Sequence, residues 1–177
     1  MISKFFDDSV ILKDKNDIEK FYKLIQNNIK INNMKLIFRL NKDGKDLQAF
    51  KNKVNNKSNL IILFLTGNKR IFGVFIKIKL EEIISDKYYN DDYAFIFSLD
   101  NNKIYKVLQP QYAIRTFDGY PVLVGNTGNS NGFFLNDDYI YDKGLLNTPK
   151  IYDFQNNEEL TEGYNKLTEM EIFEINL

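Results

Sequence analysis

The sequence contains no cysteine, no histidine and no tryptophan, and only three prolines. Without cysteine there is no disulfide, no thiolate nucleophile and no Cys-containing zinc site. Without histidine the usual general base near neutral pH and the commonest metal ligand are both gone, which removes Ser-His and Cys-His chemistry and most transition-metal sites. An excess of either charge is also missing, since Lys plus Arg and Asp plus Glu number 24 each. A nucleic-acid binder would show a basic excess or stripe, so no nucleic-acid partner is expected. The longest apolar run, LIILFL at 60–65, falls far short of the roughly 20 residues that span a bilayer. Asp7 and Asp8 interrupt the N-terminus where a signal peptide would place its apolar segment. A soluble, cytoplasmic protein without membrane insertion is the expectation.

What is present is an even supply of apolar residues, with 15 Phe and 11 Tyr among them. The length suits a single domain over residues 1–177, and a chain of this size buries roughly 70% of its unfolded surface on folding. Ile18, Phe21, Tyr22 and Ile25 recur at i, i+3, i+4 and i+7, which predicts a helix over 15–27 with Asp14 as its N-cap. MKLIFRL at 34–40 reads as a strand. Asp43-Gly44 then signals a turn, Asp46 is placed to cap a second helix, and Leu47, Phe50 and Val54 share that helix's inner face. LIILFLT (60–66) and KRIFGVFIKI (69–78), joined through Gly67-Asn68, predict a hairpin. The first of these lacks alternation, as expected of a strand covered on both faces. YAFIFSL (93–99) and IYKVL (104–108) repeat the hairpin signal across DNNK. YAIRTF (112–117), GFFL (132–135) and MEIFEINL (170–177) are further strands, Ile83 and Ile84 suggest a brief helix, and 137–165 reads as loop-rich. Strands at hairpin spacing, with helices concentrated near the front, predict one α+β domain: a two-layer antiparallel β-sandwich flanked by peripheral helices.

The candidate chemistry is sparse. Gly125, Gly128 and Gly132 in GNTGNSNG invite a phosphate-loop reading, but the flanking strand and helix, lysine and hydroxyl of such a loop are not legible, which favours a turn. Asp91 with Asp92, and Asp137, Asp138 and Asp142, could gather around a hard cation. The calcium-loop spacing is missing, which favours solvated carboxylates. Glu169 and Glu171 alternate onto one face of the last strand, where paired carboxylates could do acid–base work, although an ordinary strand with one wet face has the same pattern. Most Phe residues belong to the core, which leaves Tyr139, Tyr141 and Tyr152 as aromatic candidates for partner contact.

Laid in order, LIFRLNKDGKDLQAFKNKVNNKS, LIILFLTGNKRIFGVF, YAFIFSL, YAIRTFDGYPVLVG, GFFLNDD and MEIFEI resemble the TLDc domain over about residues 34–177. Arg39, Asp43, Gly44, Ala49 and Phe50 match the family's first block, with Asp46 where a serine is common. Further matches include Asn56, Lys57, Phe72, Gly73, Phe97, Ser98, Ala113, Gly125 and Glu171. Val54 in place of a cysteine, Val74 in place of a glycine and Gly132 in place of a frequent aspartate mark a divergent member. The resemblance implies a sandwich of two antiparallel sheets, a role in resistance to oxidative stress, binding and regulation of the vacuolar proton pump (the V-ATPase), and no cofactor. It makes Arg39, Asp43, Gly44, Gly73, Gly125 and Glu171 the candidate partner-binding or motif residues. Two readings follow. One is a non-catalytic protein-interaction module. The other is an Asp/Glu-based hydrolase or carbohydrate-acting enzyme pairing Glu171 with Asp43, which requires the two carboxylates to converge in a concave pocket.

Overall fold

The computed structural model describes residues 6–44, 47–81, 86–117, 120–125, 133–136, 139–142, 151–153, 160–162 and 166–177, with backbone alone at 47, 117, 120–123, 133–136 and 139–142. Asp14 opens the first helix as expected: its carboxylate accepts the Asn16 N–H at 2.7 Å, and α1 runs Lys15–Ile25 with Phe21 and Ile25 buried. β1 (Asn33–Arg39) leads into a single helical turn, α2 (Leu40–Asp43), and then α3 (Leu47–Val54). Strands follow as β2 (Leu60–Thr66), β3 (Ile71–Ile76), β4 (Lys87–Tyr89), β5 (Phe95–Ser98) and β6 (Lys103–Lys106). After a short 3-10 turn at Pro110–Tyr112 come β7 (Ile114–Phe117), β8 (Tyr120–Val124), β9 (Phe133–Asn136), β10 (Tyr139–Asp142) and β11 (Leu167–Asn176). They form two sheets, ordered β1-β11-β2-β3-β5-β6 and β10-β9-β8-β7-β4, with antiparallel pairing throughout.

The six-stranded sheet is covered on both faces. Leu60, Ile62 and Phe64 of β2 enter the core between the sheets together with Phe72, Val74, Met170 and Ile172, and Phe50 and Val54 of α3 join them. Ile61 and Leu63 point the other way, into a second core with Phe75, Phe97 and Phe173 beneath Phe21 and Ile25 of α1 and Phe6, Ile11 and Leu12 of the N-terminal segment. This explains why LIILFL shows no polar alternation: either face of a sheet lined twice by apolar groups demands apolar side chains. Ile151 and Tyr152 are buried within the same core between the sheets. Val107 bridges to Tyr152, and the Tyr152 hydroxyl donates to the Ala113 carbonyl at 3.1 Å.

Several expectations change. Within the stretch read as loop-rich, 137–165, Tyr139–Asp142 form a strand, β10, while 151–153 and 160–162 are not helix or strand and the rest lies outside the described residues; β4 and β8 are strands the patterning did not mark. Asp43-Gly44 closes a helical turn rather than a simple reverse turn, with Gly44 at φ 112° donating its N–H to the Leu40 carbonyl at 3.2 Å. Tyr152 is fully buried and cannot be a surface contact. Gly125 does follow a strand, β8, but the next described element is the strand β9 and not a helix. Asp46, Ile83, Ile84, Gly128, Gly132, Asp137 and Asp138 lie outside the described residues. Among the described residues no helix is long and apolar enough to cross a membrane.

Candidate functional site

Four of the residues singled out by sequence, Arg39, Asp43, Gly44 and Glu171, meet where β1 hands over to α2. A one-residue bulge in β1 sets the geometry: Leu36 pairs with Phe173, but after the register shift Phe38 pairs with Ile172 and Arg39 with Glu171. Without that extra residue Phe38 would stand opposite Glu171, since a slip of one residue exchanges the two faces of a strand. The bulge sends Phe38 into the interlayer core and leaves Arg39 facing Glu171 across the ladder.

Glu171 has no exposed surface. Its Oε1 accepts from Arg39 Nε at 3.1 Å and from the Val10 N–H at 2.7 Å, and its Oε2 accepts from the Ser9 hydroxyl at 2.5 Å. Ser9 Oγ in turn accepts the N–H groups of Leu12 at 2.8 Å and Ile11 at 3.2 Å, and the Arg39 guanidinium also donates to the Asp8 carbonyl. One buried carboxylate thus fastens the segment around Ser9 to the centre of the sheet. A buried carboxylate is tolerated only when paired and hydrogen-bonded in this way.

The neighbouring carboxylates serve the backbone as well. Glu169, 5% exposed, accepts from the Asn41 N–H at 3.1 Å and from Asn41 Nδ2 at 3.0 Å, so a strand residue satisfies one of the free N–H groups at the start of α2. Asp43 reaches back to the Arg39 N–H at 2.8 Å and lies 3.6 Å from Lys53 Nζ. The wet-face reading of the last strand is therefore wrong, because both Glu169 and Glu171 are buried. The pairing of Glu171 with Asp43 as acid and base does not hold either: each is taken up by donors of its own, and neither lines the groove of about 450 Å³ that lies by Lys30 and Tyr93.

Of the other candidates, Gly73 lies within β3 and Gly125 turns the chain after β8 at φ 63°, its N–H donating to the Ala113 carbonyl at 2.9 Å. The structure brings Arg39, Asp43, Gly44 and Glu171 together and places these two glycines apart. Asp91 is no cation ligand in this arrangement. Its carboxylate accepts from the N–H groups of Lys77 at 2.7 Å, Tyr93 at 3.0 Å and Ile78 at 3.2 Å, while burial pushes its pKa above the ordinary aspartate range. Among the described residues no group of three or more acidic side chains is placed to hold a metal ion. Sequence reasoning missed Ser9, whose partner is 162 residues away. It also missed Tyr93, at 63% the most exposed large aromatic among the described residues, because the run YAFIFSL reads as a strand from its first residue while β5 begins at Phe95.

A two-sheet antiparallel sandwich whose last strand carries a buried glutamate, clamped by an arginine from the first strand and by the N-terminal segment, defines the class of this chain. The family model of the TLDc domain matches residues 5–176, nearly the whole chain, and the protein belongs to the TLDc domain family. No curated protein matches it.

Proposed function

We propose that this TLDc domain is a non-catalytic protein-interaction module that acts in resistance to oxidative stress by binding a V-ATPase subunit. What supports the reading is the use made of the motif carboxylates: Glu171, Glu169 and Asp43 each meet donors of the protein's own backbone and side chains, so the motif holds the sandwich together and leaves the surface to make contacts. With no thiol in the chain, protection against oxidants has to act through a partner or through the three methionines, of which Met34 and Met170 are buried.

The test is affinity capture from lysate of the source cell, with bound proteins identified by mass spectrometry, beside a TLDc protein that binds the pump. Recovery of V-ATPase subunits by both is expected. Their recovery by the control alone overturns the reading.

A further inference from the structure

The groove of about 450 Å³ has an apolar floor formed by Ile29, Phe75 and Phe95 and a cationic rim of Lys30, Lys77 and Lys106. Its volume falls in the range of roughly 300–1,000 Å³ typical of ligand sites. Among the described residues none of these three lysines forms an ion pair, and the one acidic side chain in the lining is Asp92. Around its apolar floor the lining thus gathers three cationic side chains against one anionic side chain and the carboxylate carried by Leu177, the last residue of the sequence. Lys77 Nζ stands 3.4 Å from the centroid of the Tyr93 ring, which holds that ammonium over the groove.

The rim is apolar as well as cationic. Four large hydrophobic side chains are exposed among the described residues, and two of them, Tyr93 at 63% and Leu177 at 45%, line this groove. Exposed aromatic and aliphatic groups gathered at one place mark a surface made to be covered.

We propose that this groove docks an acidic segment of a protein partner, with a bulky apolar side chain of that segment seated on Phe75 and Phe95 and flanking carboxylates paired with Lys30, Lys77 and Lys106. The proposal rests on the interaction-module reading and adds to it the site and the chemistry of the partner. Charge complementarity selects an acidic segment and excludes a basic one, and the exposed Tyr93 and Leu177 beside the cavity extend the contact beyond what a single small molecule would cover.

The experiment titrates the full chain, labelled with ¹⁵N, with the peptide acetyl-Asp-Glu-Phe-Leu-Glu-Asp-amide and follows the backbone amides. Saturating shifts are expected at Lys30, Lys77, Tyr93 and Lys106, weakened about tenfold by the double variant Lys30→Glu, Lys106→Glu and by raised salt, as a screened charge contact requires. Both substituted lysines are exposed, so the variant is expected to melt as the wild type does. Shifts absent from these amides, equal affinity in the double variant, or equal affinity for a control peptide with alanine at the two apolar positions each overturn the proposal. Decanoate saturating the same amides where the peptide does not also overturns it, assigning the groove to a small anionic amphiphile. If the double variant captures V-ATPase subunits as well as the wild type does, the groove proposal falls and the functional reading stands. If the wild type captures none while the peptide binds as expected, the docking site stands and the pump is the wrong partner.

Discussion

Glu171→Gln preserves the shape of a fully buried side chain while removing half of an ion pair. The new amide NH₂ would also face either the Arg39 guanidinium or Ser9 Oγ, whose lone pairs already accept from Ile11 and Leu12. Breaking a buried pair from one side typically costs about 3–5 kcal/mol, and urea denaturation is expected to show a loss of that order. Lys57→Ala breaks an ion pair too, at 2.9 Å to Glu174, but with the partners 40% and 31% exposed a loss below about 1 kcal/mol is expected. Similar losses in the two variants would contradict the account of Glu171 as the clamp. At Gly73 the constraint is space. A Cβ there would lie 2.5 Å from Cζ of Phe97, the cross-strand partner of Gly73, and against the carbonyl oxygen of Ile62. Backbone cannot yield as a flexible side chain does, so Gly73→Ala should lower stability by about 3 kcal/mol and Gly73→Val by more. An unchanged melting temperature for Gly73→Val would refute this. The glycine was legible in the sequence as an anomaly within an apolar strand, whereas the Phe97 ring that lies over it was not.

At the scale of elements, the loop before β5 is held by Asp91, whose carboxylate gathers the N–H groups of Lys77, Ile78 and Tyr93. Burial raises its pKa, with those N–H groups opposing the rise. A carboxyl raised in this way keeps its proton to higher pH in the native state than in the unfolded chain. Its contribution to stability is therefore fully present below the unfolded value of about 4 and is lost as pH rises through the native one. Asp91→Asn does not titrate, so the stability of the wild type relative to this variant should decline as pH rises from about 4. Guanidinium midpoints measured for both proteins over a pH series decide it, and a difference that stays flat or grows with pH is the contrary result. The same scale shows why some elements were legible and others were not. β1, β2, β3, β5 and β11 lie in the sheet covered on both faces, so their apolar runs are conspicuous. β4 and β10 are the edges of the other sheet, and β4 is only three residues long, so their patterns are weak. β8 contains Pro121, which argues against a strand; it is accommodated where the register with β7 shifts, between Tyr120 and Leu123. The clamp was half legible: Arg39 and Glu171 belong to recognisable motif blocks, but nothing local to Ser9 announces a partner 162 residues away.

Over the whole molecule, the last strand in sequence stands inside the six-stranded sheet, not at its edge. β11 pairs with β1 on one side and β2 on the other, and among the described residues β1 has no other strand neighbour. Its Met170 and Ile172 belong to the core between the sheets, its Phe173 and Ile175 to the core beneath α1, and its Glu171 to the clamp on the N-terminal segment. Both cores and both ends of the chain therefore depend on one ten-residue strand. Pairing across 132 residues, as between Arg39 and Glu171, also means that loop closure precedes the contacts that reward it, which places folding among the slow, non-local cases of about milliseconds to seconds. A chain ending at residue 166 would leave β1 without a ladder partner and one edge of β2 unpaired, and would take Met170, Ile172, Phe173 and Ile175 out of the two cores. It is expected to show no cooperative thermal transition, and addition of a synthetic peptide of residues 167–177 is expected to restore one, because the missing rungs are backbone pairs the peptide can supply in trans. A sharp melt in the shortened chain alone, detected by circular dichroism and by calorimetry, would mean that β1 and β2 can close the sheet without β11 and that the two cores are held together in some other way.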